Sequence, residues 1–284
     1  MGRVKIQSAL DSITKKWWFL LLVIILFFLP SYGSQPFNPQ EIPQLIVEVM
    51  SNSFVYTYPA LYPVFKIIPI LMVIGIILFG DRITSLFDIY VAVSLTLFAV
   101  LQNTAITVRY GFAAITGNVV VYLLVAMFWW WESIAKVNDF SPYKRPLWKY
   151  WVVPVAFLAF WFPINTQTIT PDLNPLNIIL NEAGLTMCMM IPVYLAVLTL
   201  FFPQVNMAAL RVTSFAGLIT SFFNLLQWFI FNPQAWWMGV LHLPMLSISA
   251  YALILSLRKV ELKQDFTKPQ TTNRIVEDLA EEKP

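Results

Sequence analysis

The chain has few of the residues from which catalytic and metal sites are commonly built. Its only cysteine, Cys188, excludes an internal disulfide bond and any cysteine-based metal site. Its only histidine, His242, excludes a bis-histidine haem and the usual histidine-rich metal sites. The sequence therefore predicts no metal site and no cofactor, and it identifies no catalytic residue.

The motifs that reveal an enzyme by its reaction are also missing. There is no His-Glu-x-x-His zinc motif, no Gly-x-Ser-x-Gly nucleophile elbow, no Walker phosphate loop and no pair of aspartate-rich motifs for a prenyl diphosphate. No block rich in lysine and arginine indicates a nucleic-acid partner. An intramembrane enzyme is thus the least favoured class of function.

Charge is scarce as well, and its scarcity defines the class of protein. Charged residues make up 12% of the 284, whereas a soluble domain has about 25%. Hydrophobic residues make up 58%, and the mean hydropathy is +0.69. Because the apolar runs are longer than core helices need, we predict an all-α, polytopic integral membrane helical bundle.

The apolar runs divide into eight transmembrane spans. We predict spans at about 17–31, 61–80, 86–106, 111–131, 147–163, 178–202, 207–231 and 235–256. The first run is either a retained helix or the core of a cleaved signal peptide, since the small residues Ser31 and Gly33 follow it at a suitable distance. Cleavage would leave seven spans in the bundle.

Polar segments flank the bundle on both sides. Residues 1–16 are basic, and Ile6, Leu10, Ile13 and Trp17 fall on one helical face, which predicts a helix lying on an anionic membrane surface. Residues 257–284 form a polar tail, either a solvated terminus or a docking segment. Its acidic residues include Glu277, Asp278, Glu281 and Glu282.

The distribution of basic residues predicts the orientation in the membrane. With eight spans, nearly all lysines and arginines fall in segments on one side, and Arg109 is almost alone on the other. Basic residues accumulate on the cytoplasmic side of membrane proteins. We therefore predict a cell-membrane protein with both termini in the cytoplasm.

Two local features shape the expected bundle. The spans in 86–131 are predicted to join through a short turn at Arg109, Tyr110 and Gly111. Asn174 and Pro175 suit the N-cap and first positions of a helix. This helix is predicted to run unbroken to Phe202.

Strong polar groups within the spans concentrate in the outer half, while the inner half has little beyond Asp88 and Arg211. The predicted ligand-binding residues are Glu182, Arg109, Asn103, Asn118, Asn224, Gln227 and His242. Hydrocarbon offers them no hydrogen bonds, so they must face protein or water. They either line one polar cavity, with Glu182 and Arg109 as its ion pair, or form separate interhelical hydrogen bonds of about 0.6 kcal/mol each.

Two functions follow from these readings. The first is a transporter-like or ligand-binding membrane protein that coordinates a small polar solute, with Glu182 taking up and releasing a proton. The second is a structural or accessory subunit of a larger membrane complex. The expected partners are the lipid bilayer with either a small polar solute or other membrane subunits, and not nucleic acid.

Overall fold

The computed structural model of the protein describes residues 2–166 and 168–258. The described chain is mostly helical, with two small β-sheets, which confirms the predicted all-α class in its broad form. From residue 259 onward, the predicted polar tail lies outside the described residues.

The helices of the described residues follow in chain order. They are α1 (Gly2–Thr14), α2 (Trp17–Phe27), α3 (Ile42–Ser51), α4 (Tyr62–Phe79), α5 (Thr84–Leu101), α6 (Thr116–Ala135), α7 (Val152–Trp161), α8 (Asn177–Leu180), α9 (Met187–Phe201), α10 (Met207–Leu226) and α11 (Trp236–Leu257). The strands are β1 (Tyr32–Gly33), β2 (Thr104–Thr107), β3 (Gly111–Ala114), β4 (Ile164–Asn165) and β5 (Thr170–Pro171).

Several helical segments have the length and composition to cross a membrane. Among the described residues, four pass on both counts: Pro59–Leu101, Thr116–Ala135, Met207–Phe231 and Pro233–Leu257. A fifth is reached if Asn177–Leu185 and Met187–Phe201, which are bent by 97°, count as one broken span. The apolar helices Trp17–Phe27 and Leu147–Trp161 are shorter. Length and composition therefore support four to five spans.

The longest of these segments reverses direction at Gly80. A straight helix of its 43 residues would be about 64 Å long at 1.5 Å per residue. Instead Tyr62 near its start and Leu101 at its end pack into the same apolar cluster. Gly80 has a φ of +55°, and a Cβ there would lie 3.0 Å from Pro142, so the reversal depends on glycine. Helices α4 and α5 consequently run in opposite directions.

The predicted short turn between two spans is instead a β-hairpin. Helix α5 ends at Leu101, and β2 and β3 pair antiparallel before α6 begins at Thr116. Strand β1 pairs with the other edge of β3, which gives the order β1-β3-β2. The predicted spans 86–106 and 111–131 were therefore too long at this end. The backbone polar groups of these residues are satisfied between strands rather than within helices.

The helix predicted to run unbroken from Asn174 to Phe202 is broken in two places. Asn181 has φ −103° and ψ 169°, and Thr186 has φ −117° and ψ 134°, both extended conformations. Between them Glu182–Leu185 forms a 3₁₀ turn. The prediction failed because the side chain of Asn181 bonds to another helix, a contact that local sequence does not reveal.

The bundle has two chemically distinct ends. We call the end that carries β1, β2 and β3 the sheet end, and the opposite end, where α1 packs on α10, the α1 end. The side chains of Gln7 and Thr14 on helix α1 bond to α10 and the residue before it, and Asp11 Oδ1 is buried. Its apolar residues Ile6 and Ile13 remain 47% and 39% exposed, as expected of a helix resting on a membrane surface.

Candidate functional site

Glu182 lies in the break between α8 and α9, at the sheet end. Its side chain is buried, and its Oε1 atom has no hydrogen-bond partner among the described residues. Tyr56 and Tyr62 lie near enough to interact electrostatically with it. A buried carboxylate without full hydrogen bonding is costly, so its presence suggests a role other than stability.

Lys66 of α4 is the cation next to Glu182. Its side chain is fully buried, and Nζ donates a hydrogen bond to the carbonyl oxygen of Phe160. Nζ also lies 4.1 Å from the centroid of the Phe160 ring, a cation–π contact. Lys66 and Glu182 attract each other electrostatically, but no direct ion pair joins them in the described structure. The two opposite charges therefore lie near each other without direct contact.

Asn181 anchors the turn that carries Glu182. Its Nδ2 donates to the carbonyl oxygens of Trp161 at 2.9 Å and Phe162 at 3.0 Å, at the end of α7. Its Oδ1 accepts a hydrogen bond from the backbone N–H of Ala183. This amide thus ties the 3₁₀ turn to α7 and caps it at the same time.

Gly184 brings the same turn against α4. A Cβ at this position would lie 2.5 Å from the carbonyl oxygen of Phe65 and 3.2 Å from Cδ of Lys66. No side chain larger than hydrogen fits without moving one backbone segment from the other. The contact sets the distance between Glu182 on the turn and Lys66 on α4.

The N-terminus of α9 borders the site and is capped by a distant side chain. Gln102 Oε1 accepts a hydrogen bond of 2.9 Å from the backbone N–H of Met187. Asn224 donates to the Thr220 carbonyl oxygen, and its Nδ2 lies 3.7 Å from Sγ of buried Cys188. A helix N-terminus carries partial positive charge, so Lys66 and α9 together favour a negatively charged group here.

Asn103 and Asn118 lie together beneath the hairpin. Asn118 Nδ2 donates to Asn103 Oδ1 at 2.9 Å, and Asn103 Nδ2 donates to the Phe98 carbonyl oxygen at 3.0 Å. The pair joins the end of α5 to the start of α6. The Asn118–Asn103 contact is a hydrogen bond between helix ends of the kind expected if the polar residues act separately, and the Asn103–Phe98 contact caps the C-terminus of α5.

The predicted ion pair between Glu182 and Arg109 is wrong. Arg109 pairs with Glu41, at 3.1 Å between Nη2 and Oε2, and its side chain is 52% exposed. The hairpin holds Arg109 above the bundle, beside the turn that leads into α3. An exposed pair of this kind contributes about 0–1 kcal/mol to stability.

His242 and Gln227 have separate surroundings. His242 is buried near the start of α11, and its Nδ1 lies 2.6 Å from the Met238 carbonyl oxygen. Gln227 is exposed, at the beginning of a π-helical turn that ends α10. Of the seven predicted residues, Asn103 and Asn118 are the pair joined by a hydrogen bond, and among the described residues no ion pair joins any two of the seven. Whether any of them binds a ligand stays a prediction.

The α1 end contains a buried polar network that the sequence analysis did not foresee. Glu132 at the end of α6 accepts hydrogen bonds from the backbone N–H groups of Val137 and Asn138 at 2.7 and 2.6 Å. Its other oxygen accepts from Asn206 Nδ2 at 2.5 Å. Asn138 in turn donates to Asp88 at 2.8 Å. The α1 end therefore holds a larger polar network than the two residues, Asp88 and Arg211, that the sequence analysis singled out for the predicted inner half.

Helix α1 joins this network through its polar face. Gln7 exchanges hydrogen bonds with the Asn206 side chain and accepts one from Trp131 Nε1 at 2.7 Å. Fully buried Arg211 donates to Thr14 Oγ1 at 2.5 Å and to the Ser256 carbonyl oxygen at 2.8 Å. Only residues far apart in sequence complete these contacts, and no local pattern identifies them.

The C-terminus of α9 is covered by the basic segment before α7. Arg145 Nε and Tyr143 Oη both donate to the Leu200 carbonyl oxygen at 2.8 Å. Lys149 Nζ donates to the carbonyl oxygen of Phe202 at 3.2 Å. Cations stabilise the partial negative charge of a helix C-terminus. This part of the basic loop therefore has a structural role.

Comparisons with protein-family models, with curated proteins and with solved structures find no match to this chain. Function is consequently argued from the site alone. Among the described residues, no group of three or more histidine, cysteine, aspartate or glutamate side chains is arranged to hold a metal ion.

Proposed function

We propose that this chain is a multi-pass membrane protein that binds a small ligand between Lys66 and Glu182. If the protein is a transporter, this ligand is the solute that it carries. The single observation behind this proposal is a buried carboxylate with a free oxygen, facing a fully buried lysine at a break in a helix. Broken helices often provide binding sites in transporters, because their ends present charge and unpaired backbone groups.

The proposal extends to eight crossings of the cell membrane. The reversal at Gly80 supports this count, because it divides the segment Pro59–Leu101 into two helices that would each cross the membrane. The shorter helices α2 and α7 also support it, because both pack into the main apolar core. We propose that the α1 end faces the cytoplasm, since it carries Arg145 and Lys149, and that the ligand enters from the sheet end.

The other predicted residues have graded support. Asn224 lies beside Cys188 at the start of α9. His242 is buried near the same end. Both could contact a ligand after a small movement. Asn103 and Asn118 satisfy each other, while Arg109 and Gln227 are exposed, so we assign these four a supporting role in shaping or admitting the ligand.

The test is a ligand screen by thermal stabilisation of the purified, detergent-solubilised protein. A ligand that binds at this site should stabilise the wild type and bind at least about tenfold more weakly to Glu182→Gln, since about 1.4 kcal/mol corresponds to tenfold. Glu48→Gln, which changes a carboxylate of α3 at the same end, is the matched control. Unchanged affinity and unchanged pH dependence in Glu182→Gln would rule out a site at this carboxylate.

An accessory role in a larger membrane complex is the second candidate, and one observation favours it. The hairpin exposes apolar side chains beyond the bundle: Val108 is 101% exposed, Ile106 70% and Phe112 44%. Such residues on a protruding tip suit a protein partner. Extraction under native expression and measurement of the mass would decide, because a larger assembly of fixed stoichiometry would make this role the leading one.

A further inference from the structure

An apolar groove of about 360 Å³ lies between α4, α7, α8 and α9. Its walls include Ile74, Val153, Phe157 and Ala196. Ile74, Val153 and Phe157 are 45%, 46% and 49% exposed, so the groove opens sideways between α4 and α7 rather than toward either end. In a membrane-spanning bundle, a sideways opening faces the lipid chains.

The groove begins one helical turn from Lys66. Pro69 and Ile70, three and four residues after Lys66 on α4, line it, and residues at these spacings share a helix face. Phe160 belongs to both features, because its ring lines the groove and lies beneath Lys66 Nζ. Ile178, another wall residue, belongs to α8, just before the turn that carries Glu182. One end of the groove therefore adjoins the charged site.

Lys66 gives this end of the groove a defined chemical preference. An ammonium group has three donors. Among the described residues, Lys66 Nζ has one hydrogen-bond acceptor, the carbonyl oxygen of Phe160. Glu182 forms no direct ion pair with Lys66. A buried cation with incomplete hydrogen bonding favours an anionic partner. The groove is thus an apolar channel, and the buried side chain of Lys66 lies just beyond one of its ends.

We propose that the groove binds one acyl chain of an anionic phospholipid from the surrounding bilayer, with the phosphate directed toward Lys66. The chain would enter sideways and run from the sheet end toward the middle of the bundle. This matches a lipid of the leaflet at the sheet end. This inference rests on the proposed function, because both assign Lys66 a role in binding a ligand. It adds that the ligand is an amphiphile.

Native mass spectrometry of the full chain provides the test. The protein is released from nanodiscs of equal parts phosphatidylglycerol and phosphatidylcholine, and retained lipids are counted. We expect the wild type to retain one phosphatidylglycerol, Ala196→Phe to retain at least fivefold less, and Lys66→Met to lose the preference between the two lipids. Ile77→Phe, at a position 72% exposed on α4 outside the groove, is the matched control and should behave as wild type.

A second measurement does not depend on the folding of any variant. Phosphatidylglycerol with a photoreactive group on its acyl chain should label wild-type peptides that contain residues 153–160 and 193–200. Labelling spread evenly over the lipid-facing helices would overturn the proposal. So would retention by Ala196→Phe equal to wild type, equal retention of the two lipids by the wild type, or a dimer that excludes lipid from the groove.

The outcomes separate this inference from the proposed function. If a water-soluble ligand binds in a Glu182-dependent manner while Ala196→Phe leaves lipid retention unchanged, the lipid proposal fails and the proposed function stands. If Ala196→Phe abolishes retention but Glu182→Gln and Lys66→Met change neither lipid nor solute binding, the groove is a lipid site and the proposed charged site fails.

Discussion

Each end of the bundle buries a glutamate, and the two carboxylates differ in how completely they are hydrogen-bonded. At the α1 end, both oxygens of Glu132 accept hydrogen bonds from Val137, Asn138 and Asn206. At the sheet end, Glu182 has an oxygen without a partner, and Lys66 is bonded to a single carbonyl. Satisfied buried groups fix a structure, whereas unsatisfied ones cost stability and suggest a function. Asp88 Oδ2 and Arg211 Nε at the α1 end also lack partners, so it is the closeness of Glu182 to a second buried charge, Lys66, that directs the search for a site to the sheet end.

The largest expected effect tests the structural role of Glu132. Glu132→Ala leaves the three donors of its hydrogen bonds without an acceptor, and each such buried group costs about 1–3 kcal/mol. We expect a loss of about 3 kcal/mol or more in stability, measured by thermal unfolding in detergent. Glu132→Gln keeps one acceptor oxygen and should lose less.

The matched substitution at the sheet end is Glu182→Ala. It removes a carboxylate with an unpartnered oxygen, so its loss should be less than about 1 kcal/mol. Equal losses for Glu132→Ala and Glu182→Ala would remove the contrast between the two ends.

An intermediate effect is expected at the contact that sets the geometry of the sheet end. In Gly184→Ala the new methyl group would lie 2.5 Å from the Phe65 carbonyl oxygen, and overpacking of this kind costs about 1–3 kcal/mol. We expect lower thermal stability and weaker ligand binding together, because the turn moves away from Lys66.

Gly2→Ala is the control for this substitution, since no atom lies within 4 Å of the added group. If Gly184→Ala unfolded and bound ligand as the wild type does, close approach of the turn to α4 would not define the site.

The smallest effect concerns Asp11 of α1, which lies outside the predicted spans. Asp11 Oδ1 has no partner among the described residues, and burial raises the pKa of Asp11. A raised folded-state pKa means that Asp11 contributes stability below its unfolded pKa, and that this contribution is lost as the pH rises through the folded value. The wild type should therefore lose stability relative to Asp11→Asn as the pH rises above about 4, the ordinary pKa of an aspartate, by less than about 1 kcal/mol because solvent screens the charge.

Thermal unfolding of both proteins over this pH range measures the difference. Glu48→Gln on α3 serves as the control, and its difference from wild type should not follow the same trend. A stability difference between wild type and Asp11→Asn that does not change with pH would show that ionised Asp11 does not destabilise the protein.

Part of the charged site could be identified from the sequence, and part could not. Glu182 stood out because a carboxylate within an apolar run has few harmless explanations. Its neighbour Lys66 carried a similar signal, a lysine inside an apolar run, but sequence alone could not place the two together. Arg109 was paired with Glu182 on the assumption that the two charges share one cavity, whereas the hairpin directs Arg109 to Glu41.

The sequence by itself determined the class of this protein, because long apolar runs with few charges can bury their backbone polar groups only as helices in a membrane-like environment. It also determined the amphipathic pattern of α1, since helical spacing is local. The tertiary structure alone decided the break at Asn181, the hairpin after α5 and the partners of Lys66 and Glu132. Each depends on which residues of distant helices face one another, and that depends on helix rotation and packing, which no local periodicity encodes.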